Sequence, residues 1–462
     1  MVLSSLLQSR VRFPCSHRPP GPKGLPFLGN LVAFGKDELG FITETARRYG
    51  DLVWLNLAGW PALLVSDMEA IETILVKDYG NYIKHRFALR HVKALFGNGL
   101  LTNEGESWRR QRRLAAPAFA GQQLLAYDAA IVSLTHQMLD RWTNDQVLNI
   151  HPEMMELTLR IAAKTLFDSE AEWDIADIDH AANDLVIEME SRFKRPILIP
   201  DAVPLPGHFR YRRAIRTLER IVSSIIAERR ASGLEGRYDV LSRLMEARDE
   251  MGKPMSDALL RDEAITLLLA GHDTTALALS WTWFLLGQRP EIQARMAAEI
   301  ADVLGDRPAT TDDIPRLKYT ESVALESMRI YPPAWIIGRE SIGAFKLGGY
   351  AFPAGVTIFI SPWVLHRDPR HFAQPEMFRP ERWMGNLAHE LPRFAYMPFG
   401  GGPRICIGQR FAMMEAVLIL TTMAQRFSAE WQSGHKVTPF PSINLRPRGG
   451  VWLKIKDRET GH

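Results

Sequence analysis

The chain has 462 residues, 24% of them charged and 46% hydrophobic, with a net charge of +3. That is the balance of an ordinary soluble globular protein, and so small a positive excess does not point to a nucleic-acid partner. Two cysteines in so long a chain exclude a disulfide framework and fit a reducing compartment, the cytoplasm.

Residues 1–17 contain no long apolar run, because Arg10, Arg12 and Pro14 interrupt it. Neither a membrane-spanning helix nor a secretory signal is expected there. The segment reads as a disordered leader, with weak interfacial attachment as the alternative, and Cys15 within it is assigned nothing. The Pro/Gly-rich stretch Arg18 to Asn30 opens one large domain running from 18 to 462. Asp51 to Asp67 reads as a hairpin, two apolar β-prone runs around Ala-Gly-Trp-Pro. From Glu69 to Pro333 the pattern is mostly helical. Within it, "SWRRQRRLAAPAF" places Trp108 and Arg112 four apart on one helix face, with Arg109, Arg110 and Arg113 on the other. "KRPILIPDAVPLPGH", Lys194 to His208, has four prolines and cannot be helix interior.

One long helix is expected from Ser256, a good N-cap, to Pro290. At 1.5 Å per residue it spans roughly 45 Å, and its apolar middle puts it in the core. "AGHDTT" interrupts that middle: small residues at Ala270 and Gly271, an acid at Asp273, a hydroxyl at Thr274. His272 is expected to be a packed, satisfied histidine. Further on, "ALESMRI" sets Glu326 and Arg329 three apart on a helix, "YPPAWIIGRE" carries Arg339, and "FRPERW" carries Arg382. Short β-prone pieces follow Pro332. A last helix comes after "MPFGGGPRICIGQRFA", and β-like chain ends the sequence. The architecture is therefore mainly α with a small β-rich portion.

Cys406 sits between glycines, two residues from Arg404, ahead of a helix starting near Gln409. A helix N-terminus and a nearby cation both favour the thiolate, which is the form that binds metal. Phe399-x-x-Gly402-x-Arg404-x-Cys406-x-Gly408 resembles the haem-binding loop of the cytochrome P450 family. That resemblance covers nearly the whole chain and implies the cytochrome P450 fold as a single large domain. It implies haem b with Cys406 as the axial metal ligand, and thiolate ligation favours O–O cleavage. Phe399, Gly402 and Gly408 would shape the loop, and Trp108, Arg112, Arg339 and Arg404 would face the haem propionates. Glu326, Arg329 and Arg382 would form a buried charge network supporting the loop. Asp273 and Thr274 would be the acid–alcohol pair that delivers protons.

The function so implied is a monooxygenase. It uses O2 and two electrons from a separate donor of ferredoxin or flavodoxin type with its reductase. It hydroxylates or epoxidises a lipophilic small molecule, fatty-acid-like or terpenoid. Leu267, Ala270 and Ala334 to Ile337 are candidate pocket walls, Lys194–His208 a candidate lid, and the Arg109–Arg113 face a candidate donor surface. No integral membrane anchor and no nucleic acid are expected. A peroxide-dependent or rearranging relative and a non-catalytic haem sensor are the alternatives; the retained Asp273–Thr274 pair favours the oxygen-using route.

Overall fold

The two β-prone runs near the N-terminus pair as β1 (Leu52–Leu57) and β2 (Trp60–Val65). Their turn is shorter than expected. Ala58 and Gly59 alone make it, both with positive φ (54° and 91°), and Trp60 and Pro61 belong to β2. A two-residue turn of that handedness matches the twist of the strands it joins. The computed structural model describes residues 18–119, 127–168, 172–194, 199, 203–237 and 239–458. The expected leader 1–17 and residues 195–198 and 200–202 of the expected lid lie outside these residues.

The helices, in chain order, are α1 (Leu31–Lys36), α2 (Glu38–Tyr49), α3 (Met68–Glu72), α4 (Arg86–Phe96), α5 (Gly105–Ala115), α6 (Asp128–Leu139), α7 (Ile150–Phe167) and α8 (Glu172–Lys194). They continue with α9 (Pro206–Ser232), α10 (Val240–Glu246), α11 (Asp257–Leu286), α12 (Pro290–Leu304), α13 (Lys318–Ile330), α14 (Pro362–Leu365), α15 (Leu387–Glu390) and α16 (Gln409–Arg426). The remaining strands are β3 (Tyr82–Lys84), β4 (Val147–Asn149), β5 (Ile337–Ser341), β6 (Phe345–Leu347), β7 (Tyr350–Phe352), β8 (Thr357–Ile360), β9 (Phe427–Trp431), β10 (Thr438–Pro441), β11 (Leu445–Arg448) and β12 (Trp452–Asp457). The chain is mainly helical, as expected; β3 and β4 interrupt the stretch read as helix.

The residues gather into two compact units. The first combines the chain up to Leu89 with Ala334–Glu376 and Leu391–Ile405; the second takes Arg90–Pro333, Met377–Glu390 and the chain from Cys406 on. Each unit draws on both halves of the sequence, so no single cut would separate them. In the first, a five-stranded sheet runs β1-β2-β8-β5-β3. β2 and β8 are parallel, with Val65 opposite Ile360. One sheet face buries Leu63, Val65, Ile358 and Ile360 against Ile71, Phe394 and Met397.

In the second unit α11 is the central element. Ser256 caps it, its hydroxyl accepting the Leu259 N–H at 3.3 Å, and the helix ends at Leu286. Pro290 then starts α12 at its first turn, where a missing N–H costs nothing. α11 is buried on nearly every side, with Trp281 and Trp283 among its fully buried side chains. Trp281 stacks on Tyr331 at 4.0 Å, and its indole N–H donates to the Leu445 carbonyl at 2.9 Å. Thr158 of α7 donates its hydroxyl to the His272 carbonyl at 3.1 Å.

Candidate active site

A helix buried all round would show no gap, but α11 has one. Leu267, Ala270, Gly271 and Thr274 follow each other at helical spacing, and each is at least partly exposed, while Leu268, His272, Asp273 and Thr275 are buried. A Cβ added to Gly271 would meet nothing within 4 Å. The stripe is thus open, smooth and mostly apolar. Thr274 supplies its polar group, and its hydroxyl donates to the Ala270 carbonyl at 2.8 Å.

Asp273 points the other way. It is buried, accepts from Asn444 Nδ2 at 2.6 Å and forms an ion pair with Arg446. Burial alone would raise this carboxyl, but Arg446, His272 and Asn444 outweigh it and hold it below the usual carboxylate range. The sequence reading missed both partners. They lie on and beside β11, more than a hundred residues downstream, in a stretch with no motif of its own. His151 adjoins the same cluster, and its Nδ1 lies 3.1 Å from Ser280 Oγ. Ser280 already gives its own proton to the Ala276 carbonyl, so the Nδ1–H must be the donor. Burial and then Arg446 push His151 down to about 4, which keeps it neutral. The His272 ring is buried within α11.

Glu415 was also missed. It lies in the second turn of α16, fully enclosed, beside Thr275. Burial pushes its carboxyl up to about 8 against the lowering influence of the Thr275 hydroxyl. Protonated at neutral pH, it is a donor. Thr275 gives its own proton to the Gly271 carbonyl at 3.0 Å, so its oxygen is free to accept.

Cys406 opens the second unit's last segment. α16 starts at Gln409, as expected, with Gly408 as its N-cap. Solvent reaches the cysteine. Protein packed around the sulfur still raises the thiol above its ordinary range, while the Gly408 N–H and Arg112 pull it down. Arg112 is half-buried on α5; burial lowers its guanidinium, and the Cys406 sulfur works against that. Trp108, one turn earlier, is buried. These two face inward and Arg109 and Arg113 outward, as the spacing indicated.

The expected basic donor surface needs correction. Arg109 pairs with Glu106, Arg110 with Asp249 at 2.7 Å, and Arg113 with Glu250. The chain's own acids neutralise that face. A turn at 249–254 is held on α5, its Lys253 carbonyl accepting from Arg110 at 3.3 Å.

In the first unit the glycine loop is tightly packed. Gly400 and Gly402 have positive φ (75° and 69°), and a Cβ on Gly402 would lie 2.0 Å from the Leu75 carbonyl oxygen. Only glycine satisfies both conditions. Phe399 and Arg404 are half-buried there, and the His366 ring accepts the Met397 N–H at 2.9 Å. Arg339 lies on β5 opposite Lys84 and Ile358, its guanidinium donating to the Gly338 carbonyl at 3.0 Å. Of the expected pocket wall, Trp335 is buried, and its carbonyl accepts the Ser361 hydroxyl at 2.7 Å.

Glu326, Arg329 and Arg382 are brought together, with two further donors from the chain around Arg382. Arg329 donates to both Glu326 oxygens, at 2.8 and 2.9 Å, and Arg382 Nε donates at 3.1 Å. The Arg379 N–H at 3.0 Å and the Trp383 indole N–H at 2.9 Å join them. Neither Glu326 nor Arg329 is exposed at all. A carboxylate so enclosed is tolerable only because every lone pair has a donor.

A sequence model of the cytochrome P450 family matches residues 19–454. Cyclooctatin synthase of Streptomyces melanosporofaciens is 37% identical over 92% of this chain and 92% of its own length. Cyclooctat-9-en-7-ol 5-monooxygenase of the same organism is 37% identical over 92% and 90%. Pentalenene oxygenase of Streptomyces avermitilis is 32% identical over 92% of each. With a family match across both units and relatives of this kind, the chain belongs to the cytochrome P450 family of monooxygenases.

Proposed function

We propose that this monooxygenase oxidises a terpenoid, using haem b held through Cys406. The observation that carries the reading is the solvent-reachable sulfur two residues before the N-cap of α16, with Arg112 acting on it. A second feature fits a flat prosthetic group: the open α11 stripe, where the space beside Gly271 is clear. Haem, when bound, supplies the redox chemistry that splits O2, one atom entering the substrate and the other leaving as water.

The chain's own residues bind, orient and move protons. Trp108 and Arg112 stand on one face of α5 to meet a propionate; Arg404 and Arg339 keep the propionate roles that the family resemblance implies. Thr274 presents its hydroxyl at the edge of the open stripe. Asp273, held ionised by Arg446, becomes a proton carrier when that pair opens and its carboxylate turns to solvent. Leu267 and Ala270 offer the substrate an apolar wall. Electrons come from a separate small carrier of ferredoxin or flavodoxin type with its reductase, in the cytoplasm.

The terpenoid choice rests on the relatives, two of which are named for acting on pentalenene and cyclooctat-9-en-7-ol. Three spectra test the whole reading. The dithionite-reduced, carbon-monoxide-bound protein should have the strongly red-shifted Soret band of thiolate ligation, and Cys406→Ala should lose it. A band of histidine-ligated type in the unmodified protein would overturn the ligand assignment. Cyclic terpene hydrocarbons and alcohols should shift the ferric spin state where fatty acids do not; the reverse selectivity would overturn the substrate class.

A further inference from the structure

Asp273, the acid expected to feed protons to the open stripe of α11, is turned away from that stripe. It stands about 160° round the helix from Gly271, and Asn444 and Arg446 hold it there. Thr275 stands only about 40° from Gly271, on the flank of the stripe. Its hydroxyl bonds the Gly271 carbonyl at 3.0 Å, and the space beside Gly271 is clear. The acid behind that hydroxyl is Glu415.

Glu415 belongs to α16, the helix that follows Cys406. It is 2% exposed, and its side chain meets Thr275, itself 4% exposed. A carboxyl so enclosed keeps a charge only beside a cation. Burial and Thr275 are the only influences on it, and no charged group faces it, among the described residues. The acids on the elements packed against α16 have partners of their own. Asp128 of α6 accepts from Thr311 at 3.0 Å, Glu299 of α12 from Thr320 at 2.9 Å and Asp313 from Arg307 at 2.7 Å. Glu326 of α13 is held by Arg329 and Arg382. Glu415 is thus a neutral acid with its proton aimed at one hydroxyl, and neither the fold nor the haem loop accounts for it.

We propose that Glu415 is a second proton source for the monooxygenase reaction, a positioning residue that acts through Thr275 rather than by touching substrate. The Thr275 hydroxyl turns from the Gly271 carbonyl to a base in the open stripe and gives up its proton. The Glu415 O–H bond breaks as it restores that proton to Thr275 Oγ. One proton leaves Glu415, one reaches the stripe, and no electron moves. Water entering the stripe later returns the proton by the same hydroxyl. A bare carboxylate at this depth is costly, so the proton leaves only toward a strong base. The inference rests on the haem–Cys406 reading, which the carbon-monoxide spectrum decides separately.

The test uses the haem-loaded full chain without substrate, reduced by a plant-type ferredoxin and its reductase, and counts hydrogen peroxide released per O2 consumed. Splitting the O–O bond needs a proton on the oxygen that leaves as water; without it the electrons leave as peroxide. Glu415→Gln keeps the size and a donor to Thr275 but has no acidic proton to give. It should raise the peroxide share several-fold with the carbon-monoxide spectrum unchanged. Thr275→Val should do the same, and the double variant should go no further, since both lie on one route. Infrared spectra should contain a protonated-carboxyl band that Glu415→Gln deletes and Thr275→Val moves. An unchanged peroxide share in Glu415→Gln, or no infrared band lost, overturns the proposal. A double variant that adds the two effects overturns the route through Thr275. Loss of the thiolate-type carbon-monoxide band in the unmodified chain overturns the haem reading instead, and the infrared band still reports on Glu415.

Discussion

Asp273 of α11 and Arg446 of β11 form an ion pair that solvent barely reaches, and Asn444 closes it at 2.6 Å. The acid expected to deliver protons is thus stored as a carboxylate, tied to a strand far along the chain. Arg446→Met removes the strongest opponent of burial and leaves only His272 and Asn444 against it. The Asp273 carboxyl should then rise above its ordinary range, and the acidic limb of the turnover–pH profile should move up. Unfolding in urea should show a loss of about 3 kcal/mol, the lower end for breaking a buried pair. The sign of the pH dependence also changes. In the native chain the lowered carboxyl contributes stability above its unfolded value, lost as pH falls; in the variant, stability falls as pH rises through the raised value.

Trp383 is the test of the Glu326 network, because it can be changed without leaving a charge bare. Trp383→Phe deletes one indole donor to Glu326. A hydrogen bond to a charged group is worth about 1.5–3 kcal/mol, and the loss should appear in thermal or urea unfolding. Arg329→Met should cost more, about 3–5 kcal/mol. The double variant should lose less than the sum, since both act through one carboxylate.

Glu415 makes a pH prediction of its own. Its carboxyl is raised from 4.5 to about 8 in the folded chain. The folded state therefore holds a proton that the unfolded state releases between those values. Stability should fall as pH rises through that window, by an amount on the order of a few kcal/mol. Glu415→Gln, which keeps a neutral donor beside Thr275, should flatten that slope. Melting curves at intervals from pH 5 to about 9 would reveal it; parallel curves for the two proteins would refute a buried, protonated Glu415.

Gly402→Ala probes the loop before the cysteine. Its Cβ would land on the Leu75 carbonyl at a φ that alanine resists. The loop should shift, with reduced haem retention on gel filtration and a melting temperature lower by several degrees, roughly 1–3 kcal/mol. Gly408→Ala, whose Cβ would only reach Phe119 at 4.0 Å, should be far milder.

Much of the site was legible because its residues are close in sequence or tied to a local shape. Glu326 and Arg329 share a helix face by spacing alone, Trp108 and Arg112 likewise, and Ser256 marks where α11 starts; Pro290, read as the end of that helix, proves to be the first residue of the next. The positive-φ glycines before Cys406 announce a backbone that other residues cannot follow. Helix periodicity also fixed which arginines of α5 face outward, though not what they meet there. Whether Arg110 stays bare or finds Asp249 depends on where a turn more than a hundred residues away comes to rest. The same holds for Arg446 on Asp273, Trp383 on Glu326 and Glu415 beside Thr275. Local sequence sets propensity and side-chain direction, which act over a few residues. Burial, charge partnership and the pKa that follows are properties of packing, and only the tertiary structure brings those groups within a hydrogen bond of each other.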